Sequence, residues 1–513
     1  MGILDWFRGD ETPPATVKSG VPKVRRSTSR KRYAAADDRA QYGNFNASYG
    51  SADYELSIAL PVVRNKIRAL ARNSGTMKRY LSLLKTNVVG KDGFKLQVSV
   101  RMLDGKPDRS LNKRVQDAWS EFCKAPTVDG QMDMIELCKQ MVTTHARDGE
   151  YIIELVNDLD APDAFLLNPV EGDMLDEGLN EVYPPTGNEI RLGVEIDGRK
   201  RPVAYHFLTT HPGDLTWQSP LSGKRHRRVP ADRVIHIFER LRPGQTRGEP
   251  QPTSIINTVK MLDGYRAAEV TGRRIKASAM GFAVERETAH PRDGLDGMAD
   301  RVSEDTNEFE MDIEPGTIKA LPSGYDFKQF DPGGVQSDFS DFDGQMKADA
   351  SMGVSVSPVS LGYETRQLSY STHRGVIGED RDMYADLQSF FIRMAMNKIF
   401  THWLKMHIGF NVETTIPPSR MMAIIAKAVF RGRGWDQIDP TKDTKAENEQ
   451  LGALTTSLSR IAAKRGISRD ELLDEIEDDQ QAIKERGLTQ SLGNAMPAKT
   501  TSGGDSDDDD DEA

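Results

Sequence analysis

The sequence predicts an α+β fold, with a mixed region of helices and strands followed by several long helices. Three features of the 513-residue chain support this prediction. Apolar residues recur at helical spacing from Leu56 to Leu84, and an alternating hairpin pattern runs from Ile190 to Leu208. After residue 250, two helical patterns bracket a stretch that glycine and proline interrupt. A chain of this length can hold two or three hydrophobic cores of ordinary size.

The two ends of the chain carry opposite charge. Residues 1–50 are rich in Pro, Ser, Gly and cations, which predicts a flexible basic N-terminal arm. Residues 491–513 include a run of acids from Asp505 to Glu512 and are predicted to form a disordered acidic tail. The net charge of −10 is not that of a protein that grips nucleic acid tightly. Such ends either meet charged partners or keep the chain in solution.

Residues 51–252 are predicted to form the α+β part of the chain. The first helix follows the stripe from Leu56, with Pro61 near its start and a split at Asn73-Ser-Gly75. The hairpin consists of one strand over Ile190–Ile196, a turn at Asp197-Gly198 and a returning strand over Pro202–Leu208. The other predicted elements are a strand over residues 94–100, helices over residues 115–122 and 134–145, and strands over residues 151–156 and 233–238.

Long helices dominate the sequence after residue 252. A stripe of mostly small residues, which includes Ile255, Ala268 and Gly272, predicts one helix over residues 253–280. A second helix is predicted within residues 336–353, and a serine-rich loop over residues 354–370 follows it. The remaining predictions are short strands at residues 281–284 and 317–321, a long helix from residue 371 in the segment 371–439, and a charged helical unit over residues 440–490.

No motif in the sequence predicts an active site. Gly193 and Gly198 are spaced as in a P-loop, but Lys and Ser/Thr do not follow and the segment is a predicted hairpin. Cys123 and Cys138 are too few for a disulfide framework or a four-ligand zinc site, and we expect both to be buried. We therefore predict no enzyme, no cofactor and no catalytic or metal-binding residue. No apolar run is long enough to cross a membrane.

One acidic cluster permits two interpretations. Asp338, Asp341 and Asp343 precede or begin the second long helix, where they could hold Mg²⁺. Acids at a helix N-terminus also suit the helix dipole without any ligand. We favour the second interpretation, a solvated helix N-terminus.

The sequence resembles the lambda-like family of tailed-phage portal proteins from about residue 30 to about residue 480. No single motif carries the resemblance, but six segments follow one another in the family's order. The segment containing Arg242-Pro-Gly-Gln-Thr-Arg-Gly248 is the most specific. The six segments are residues 30–35 (RKRYAA), 64–93, 191–206 (RLGVEIDGRKRPVAYH), 229–250, 366–380 (RQLSYSTHRGVIGED) and 434–440 (GWDQIDP).

The resemblance implies a portal-protein fold with a wing, a helical stem, a clip, a tunnel loop and a helical crown. By element order, the wing comprises residues 51–252 and closes with residues 371–439. The stem comprises residues 253–280 and 336–353, the clip residues 281–335, the tunnel loop residues 354–370 and the crown residues 440–490. Helices that bracket a Gly/Pro-rich insert, followed by a loop and a long helix, agree with this order independently.

The resemblance also implies a function and a set of partners. Portal subunits form a homo-oligomeric ring, typically of twelve copies, at one capsid vertex of the virion, after synthesis in the host cytoplasm. Double-stranded DNA passes through the ring during packaging and ejection. The implied protein partners are the large subunit of the terminase, the major capsid protein and head-tail connector proteins.

Two groups of residues are candidates for contact with DNA in such a channel. Small polar or basic side chains of the loop could meet the phosphates without reading base sequence, unless the loop is an ordinary surface connection. Cations of the first stem helix could face the channel or a neighbouring stem, and we expect at least two to face the neighbour. The loop residues are Ser355, Ser357, Ser360, Arg366, Gln367 and Ser369, and the stem residues are Lys260, Arg266, Arg273, Arg274 and Lys276.

Two other classes of protein remain as alternatives. Another structural protein of capsid assembly would share the composition, although the helix–insert–helix–loop order is not expected in a shell protein. A nuclease or packaging-motor subunit is disfavoured because the sequence lacks a P-loop and a spaced set of carboxylates.

Overall fold

The computed structural model describes most of the chain from residue 50 to residue 485. The described residues are 50–183, 185–214, 226–277, 281–285, 301–302, 309–310, 325–329, 339–362, 369–410, 415–435, 440–464 and 469–485. The predicted strand at residues 317–321 lies outside them, as do the N-terminal arm and the acidic tail. Within these residues, no helix is long and apolar enough to span a membrane.

The first helical stripe forms two helices, as the sequence predicts. Helix α1 (Ala52–Asn73) begins at Ser51, whose side chain accepts a hydrogen bond from the Tyr54 amide at 3.3 Å. Helix α2 (Gly75–Leu84) begins after Ser74, so the predicted split is confirmed. The predicted place of Pro61 is wrong, because it lies inside the 22-residue α1 rather than in its first turn. The helix continues there despite the missing proline N–H.

Apart from the hairpin, the elements predicted between residues 94 and 238 are confirmed with small shifts of their ends, and the structure adds strand β3 (Phe165–Val170), which was not predicted. Helix α4 ends at Gly149, a left-handed residue (φ 89°), before β2 begins. Strand β2 lies between β3 and β9 in an antiparallel three-stranded sheet. The elements are β1 (Lys95–Val98), α3 (Arg109–Phe122), α4 (Met134–Asp148), β2 (Glu150–Asn157), β3 (Phe165–Val170) and β9 (Val234–Phe238).

The hairpin region is a five-stranded antiparallel sheet and differs from its prediction in two ways. Ile190–Ile196 is not one strand, because the chain reverses at Leu192 and Gly193, which have φ values of 50° and 82°. The next connection spans residues 197–201, and its left-handed residue is Lys200 (φ 60°) rather than Asp197 or Gly198. In sheet order, the strands are β4 (Glu181–Tyr183), β5 (Asn188–Arg191), β6 (Val194–Ile196), β7 (Pro202–Leu208) and β8 (His226–Pro230).

The two helices predicted around the insert are present. A short 3-10 turn (Gln251–Ile255) leads into α5 (Ile256–Ala277), and α6 (Phe339–Gly353) returns. Ile255 is buried as predicted, but Ala268 is exposed and Gly272 is only half-buried. The described strands of the insert are β10 (Gly281–Glu285), β11 (Arg301–Val302), β12 (Phe309–Glu310) and β13 (Tyr325–Gln329), where β10 pairs with β13 and β11 with β12.

The sequence predicted one open loop after α6. The structure differs, because this segment contains the short helix α7 (Pro358–Gly362). The following long helix begins one residue before its predicted start and includes a π-turn at Ile392–Met396. Strand β14 then pairs with β1, which joins the two ends of the α+β region. The elements are α8 (Tyr370–Phe391), α9 (Asn397–Phe410), α10 (Met421–Lys427), β14 (Ala428–Arg431), α11 (Pro440–Gly452), α12 (Leu458–Lys464) and α13 (Arg469–Glu485).

The largest hydrophobic core combines residues that are far apart in the sequence. Trp403 of α9 is fully buried and lies edge-on to Trp119 of α3, with ring centroids 5.1 Å apart. Cys138 is buried in the same core, as expected, whereas Cys123 is only half-buried against it. The segment from α8 to β14 therefore packs into the same hydrophobic core as the α+β region.

Candidate functional site

Helices α5 and α6 form an antiparallel pair. Thr258 Oγ1 donates to Asp349 Oδ2 at 3.2 Å, and further along α5, Arg266 Nε donates to Asp343 Oδ1 at 2.5 Å. The contacts move towards the C-terminus of α5 and towards the N-terminus of α6, which is the order of an antiparallel pair. The two helices predicted to form the stem therefore contact each other directly.

Asp343 lies between the two helices and is only 8% exposed. Burial opposes its ionisation, but Arg266 and Lys347, whose Nζ lies 2.8 Å from Oδ2, together lower the pKa of Asp343 below its usual value. The prediction of a solvated acid is therefore wrong for Asp343, although Asp341 is exposed. Asp338 lies outside the described residues.

The five candidate cations of α5 differ in their surroundings. Arg266 is paired with Asp343, and Arg273 Nε donates to Glu269 at 2.9 Å while its guanidinium lies 5.8 Å from the centre of the Phe339 ring. Lys260 and Arg274 are exposed, and neither contacts a partner among the described residues. The side chain of Lys276 lies outside the described residues.

Helix α8 fixes the first half of the predicted loop. The Ser357 amide and Oγ donate to the two oxygens of Asp380 at 2.8 Å and 2.6 Å, and Ser360 Oγ donates to Asp380 Oδ2 at 2.5 Å. Arg79 of α2 also donates to the Ser360 carbonyl at 3.0 Å. Ser357 and Ser360 therefore hold α7 against α8 and α2, a role that the sequence did not predict.

The remaining loop candidates lie on either side of a short undescribed segment. Ser355 is exposed and has a positive φ of 53°. Ser369 is exposed and caps α8, because its Oγ accepts a hydrogen bond from the Thr372 amide at 3.2 Å. Arg366 and Gln367 belong to residues 363–368, outside the described residues. Of the two positions that border this segment, Gly362 is the last residue of α7 and Ser369 is the N-cap of α8.

Sequence reasoning did not identify Asp380 and Arg79, which organise the loop. Asp380 lies 20 residues after Ser360, and Arg79 lies 281 residues before Ser360. The only signal was that Asp380 lies at the end of the segment RQLSYSTHRGVIGED, which carries part of the family resemblance.

The most specific segment of the resemblance contributes a buried arginine. Arg247 is fully buried, and its guanidinium contacts both carboxylate oxygens of Glu150. The same side chain donates to the carbonyls of Gly172, Leu175 and Leu192 at 2.9, 3.1 and 2.9 Å. It thereby joins the three-stranded sheet to the turn of the five-stranded sheet.

Glu150 is also fully buried and is surrounded by two arginines and a histidine. His236 Nε2 lies 2.9 Å from one of its oxygens, and Arg64 donates to the other at 3.0 Å. Burial opposes ionisation, but Arg247 and His236 outweigh it and hold the pKa of Glu150 well below its usual value. This cluster is therefore an ionised structural centre that ties α1 to both sheets.

The described residues contain one cluster with the donor types of a metal site, formed by Glu171, Asp173 and His211. Asp173 already accepts hydrogen bonds from Arg64, at 2.6 Å, and from Arg68. These arginines balance the charge of Asp173, and Arg64 also contacts Glu150. The cluster is therefore better explained as the outer part of the buried ionised group around Glu150 than as a cation site.

Comparisons with known proteins identify the family. The family model described as "Phage portal protein, lambda family" matches residues 38–388. A probable portal protein of Halomonas phage phiHAP-1 is 27% identical over 95% of this chain and 92% of its own length. Portal protein B of Escherichia phage lambda is 23% identical over 79% of this chain and 80% of its own length.

Solved structures that match this chain include chains from gene transfer agent (GTA) particles. One is from the neck of an empty particle, with 15% identity, a TM-score of 0.43, and coverage of 82% of this chain and 95% of that chain. Another is from the neck of a native particle, with 14% identity, a TM-score of 0.43, and coverage of 78% and 93%.

The chain belongs to the lambda family of phage portal proteins. The family is structural rather than enzymatic, in agreement with the prediction from the sequence motifs.

Proposed function

We propose that this portal protein forms a ring of twelve copies at one vertex of the phage capsid, and that the ring conducts double-stranded DNA during packaging and ejection. The observation that carries this proposal is the order of the described elements: the antiparallel pair α5–α6, the insert between them, the anchored helix α7 and the long helix α8. Residues 253–353 would provide the stem and clip, and residues 440–490 the crown.

The partners of the ring follow from the same assignment. The large subunit of the terminase would dock on the clip, residues 281–335, and head-tail connector proteins would bind there after packaging. The major capsid protein would surround the ring in the virion, following assembly in the host cytoplasm. DNA would pass without sequence recognition, since the candidate residues offer hydroxyl groups and single cations rather than a surface that fits a groove.

The DNA-contacting part of the tunnel loop would be the segment 363–368. The described residues before it are fixed by Asp380 and Arg79, and Ser369 after it is fixed as a helix cap. Ser357 and Ser360 are therefore assigned to holding the loop. Arg366 and Gln367 remain the proposed contacts with phosphate, with Ser355 and Ser369 as exposed neighbours.

The proposal can be tested by deleting residues 363–367 and, separately, by replacing Arg366 with Ala. Both variants should form rings and empty heads, because the anchoring contacts of α7 and α8 are retained. The amount of DNase-protected DNA per head should fall. Arg72→Ala, which removes an exposed cation from α1, serves as the control and should package normally.

Two results would contradict the proposal. If the deletion variant packages and retains DNA as the wild type does, the segment 363–368 is not the DNA contact. If the wild-type chain at micromolar concentration sediments only as its 57.1-kDa monomer, the ring itself is refuted.

A further inference from the structure

The surface of α5 that faces away from α6 has an unusual composition. Residues that contact α6, such as Arg266 and Arg273, occupy one face of the helix. The opposite face carries Gly264, with open space around it, flanked by two exposed cations. At the 3.6-residue period of a helix these positions form one line, and they are Lys260, Gly264, Ala267, Thr271 and Arg274.

The surface of α6 that faces away from α5 carries the opposite charge. Asp341, Gln345 and Met352 are exposed and follow helical spacing on this face. Asp341 has no partner among the described residues, in contrast to Asp343, which lies between the helices. Within the described part of the chain, the helix pair thus presents Lys260 and Arg274 without partners on its α5 side and Asp341 without a partner on its α6 side.

Arg274 and Asp341 lie at neighbouring levels along the pair, although not at the same one. Arg266 contacts Asp343, and Arg273 lies over Phe339. The level of Asp341 therefore falls between residues 266 and 273 of α5. Arg274 lies about 7 Å beyond that level at 1.5 Å per residue, a distance that an extended arginine side chain covers.

We propose that Arg274 of one copy forms an ion pair with Asp341 of the next copy around the ring. This inference rests on the ring of the proposed function. In a cyclic ring, the same two different faces of each subunit meet at every interface. The α5 face and the α6 face meet that requirement, because they point in opposite directions and carry opposite charges. Small side chains at Gly264 and Ala267 allow the neighbouring helix to approach closely.

The proposed ion pair would also neutralise the charge of Arg274. A free arginine facing the DNA in every copy would bind phosphates and slow the passage of DNA. Pairing with the acid of the next copy removes that charge from the channel.

A charge-swap experiment on the full-length chain tests the proposal. Arg274→Asp and Asp341→Arg should each raise the protein concentration needed for half-maximal ring formation, by about tenfold for two like charges at every interface. The double variant should restore rings, because it recreates the pair in the reverse order. Ring formation is measured by sedimentation velocity and negative-stain imaging, and circular dichroism confirms that each monomer is folded.

Lys260→Asp is the matched control. It reverses a charge on the same face, but the acid of α6 nearest its level, Asp349, already accepts a hydrogen bond from Thr258. We expect its ring formation to stay close to that of the wild type. The proposal fails if the single variants at Arg274 and Asp341 assemble normally, if the double variant is not restored, or if Lys260→Asp is equally defective. Each of these results is observed only if wild-type rings form. Failure of the ion-pair proposal can therefore be distinguished from failure of the proposed ring.

Discussion

Replacing Arg247 with Ala should destabilise the protein severely. The guanidinium is fully buried and is held by Glu150 and by three carbonyls, those of Gly172, Leu175 and Leu192. Removing one partner of a buried ion pair costs about 3–5 kcal/mol. Each carbonyl left without a donor adds about 1–3 kcal/mol unless water enters the space. We therefore expect a loss of at least about 5 kcal/mol, which is comparable with the whole stability of many proteins.

The matched control for this substitution is Arg242→Ala, five positions earlier in the same segment. Arg242 pairs with Glu55, but the two side chains are 50% and 37% exposed. An exposed ion pair contributes about 0–1 kcal/mol, so the control should lose at most a small fraction of its stability. The two variants therefore compare a buried with an exposed arginine in one stretch of chain.

Urea unfolding at one fixed protein concentration measures both variants, since assembly itself adds to the apparent stability. Arg247→Lys gives a second measure, because a lysine keeps the charge but cannot serve a carboxylate and three carbonyls at once. It should recover only part of the loss. Equal unfolding midpoints for Arg247→Ala and Arg242→Ala would refute the structural role of the buried centre.

Two further predictions concern other buried positions. Burial lowers the pKa of His145 to about 4, against an ordinary value near 6.5. Between these two pH values the unfolded chain binds a proton that the folded chain does not, so the free energy of unfolding is highest above pH 6.5 and falls as the pH falls towards 4. His145→Leu should remove about 3 kcal/mol of this pH dependence, and thermal melts between pH 4 and 7 with an unchanged slope would contradict it. Gly149→Ala should cost about 2–5 kcal/mol, because its Cβ would lie 2.6 Å from the Glu249 backbone in addition to the strain of a positive φ. Gly105→Ala has the same strain but open space, so a urea midpoint as low as that of Gly149→Ala would show that crowding is not the cause.

The sequence predicted the long elements well because their apolar periodicity extends over several turns. Helices α1 and α2 follow from such a pattern, whereas the pairing of β2 with β3 and β9 was not predicted. The hairpin failed because Ile190, Leu192 and Val194 continue the alternation through a turn, and Leu192 has a positive φ that leucine rarely adopts. Periodicity alone gives no sign of such a reversal.

The loop and the stem show a different limit of sequence reasoning. The serines of the loop were identified as polar, but polarity does not distinguish a side chain that meets DNA from one that anchors a helix. Ser357 and Ser360 anchor a helix because Asp380, on another helix, accepts their hydrogen bonds. The Arg266–Asp343 pair likewise depends on how α5 and α6 align, which the sequence of either helix does not determine.

If α5 and α6 form the stem as proposed, the distribution of charge on this helix pair would let the ring surround DNA without holding it. Arg266 and Arg273 are both compensated within the chain, the first by Asp343 and the second by Glu269. If Arg274 is compensated by the next copy, Lys260 is the one cation without a partner on the part of α5 whose side chains are described. Each uncompensated cation would be repeated in every copy and would bind a phosphate through counterion release. A channel for DNA therefore benefits from arginines that stabilise the helix pair while their charge is neutralised by acids of the protein.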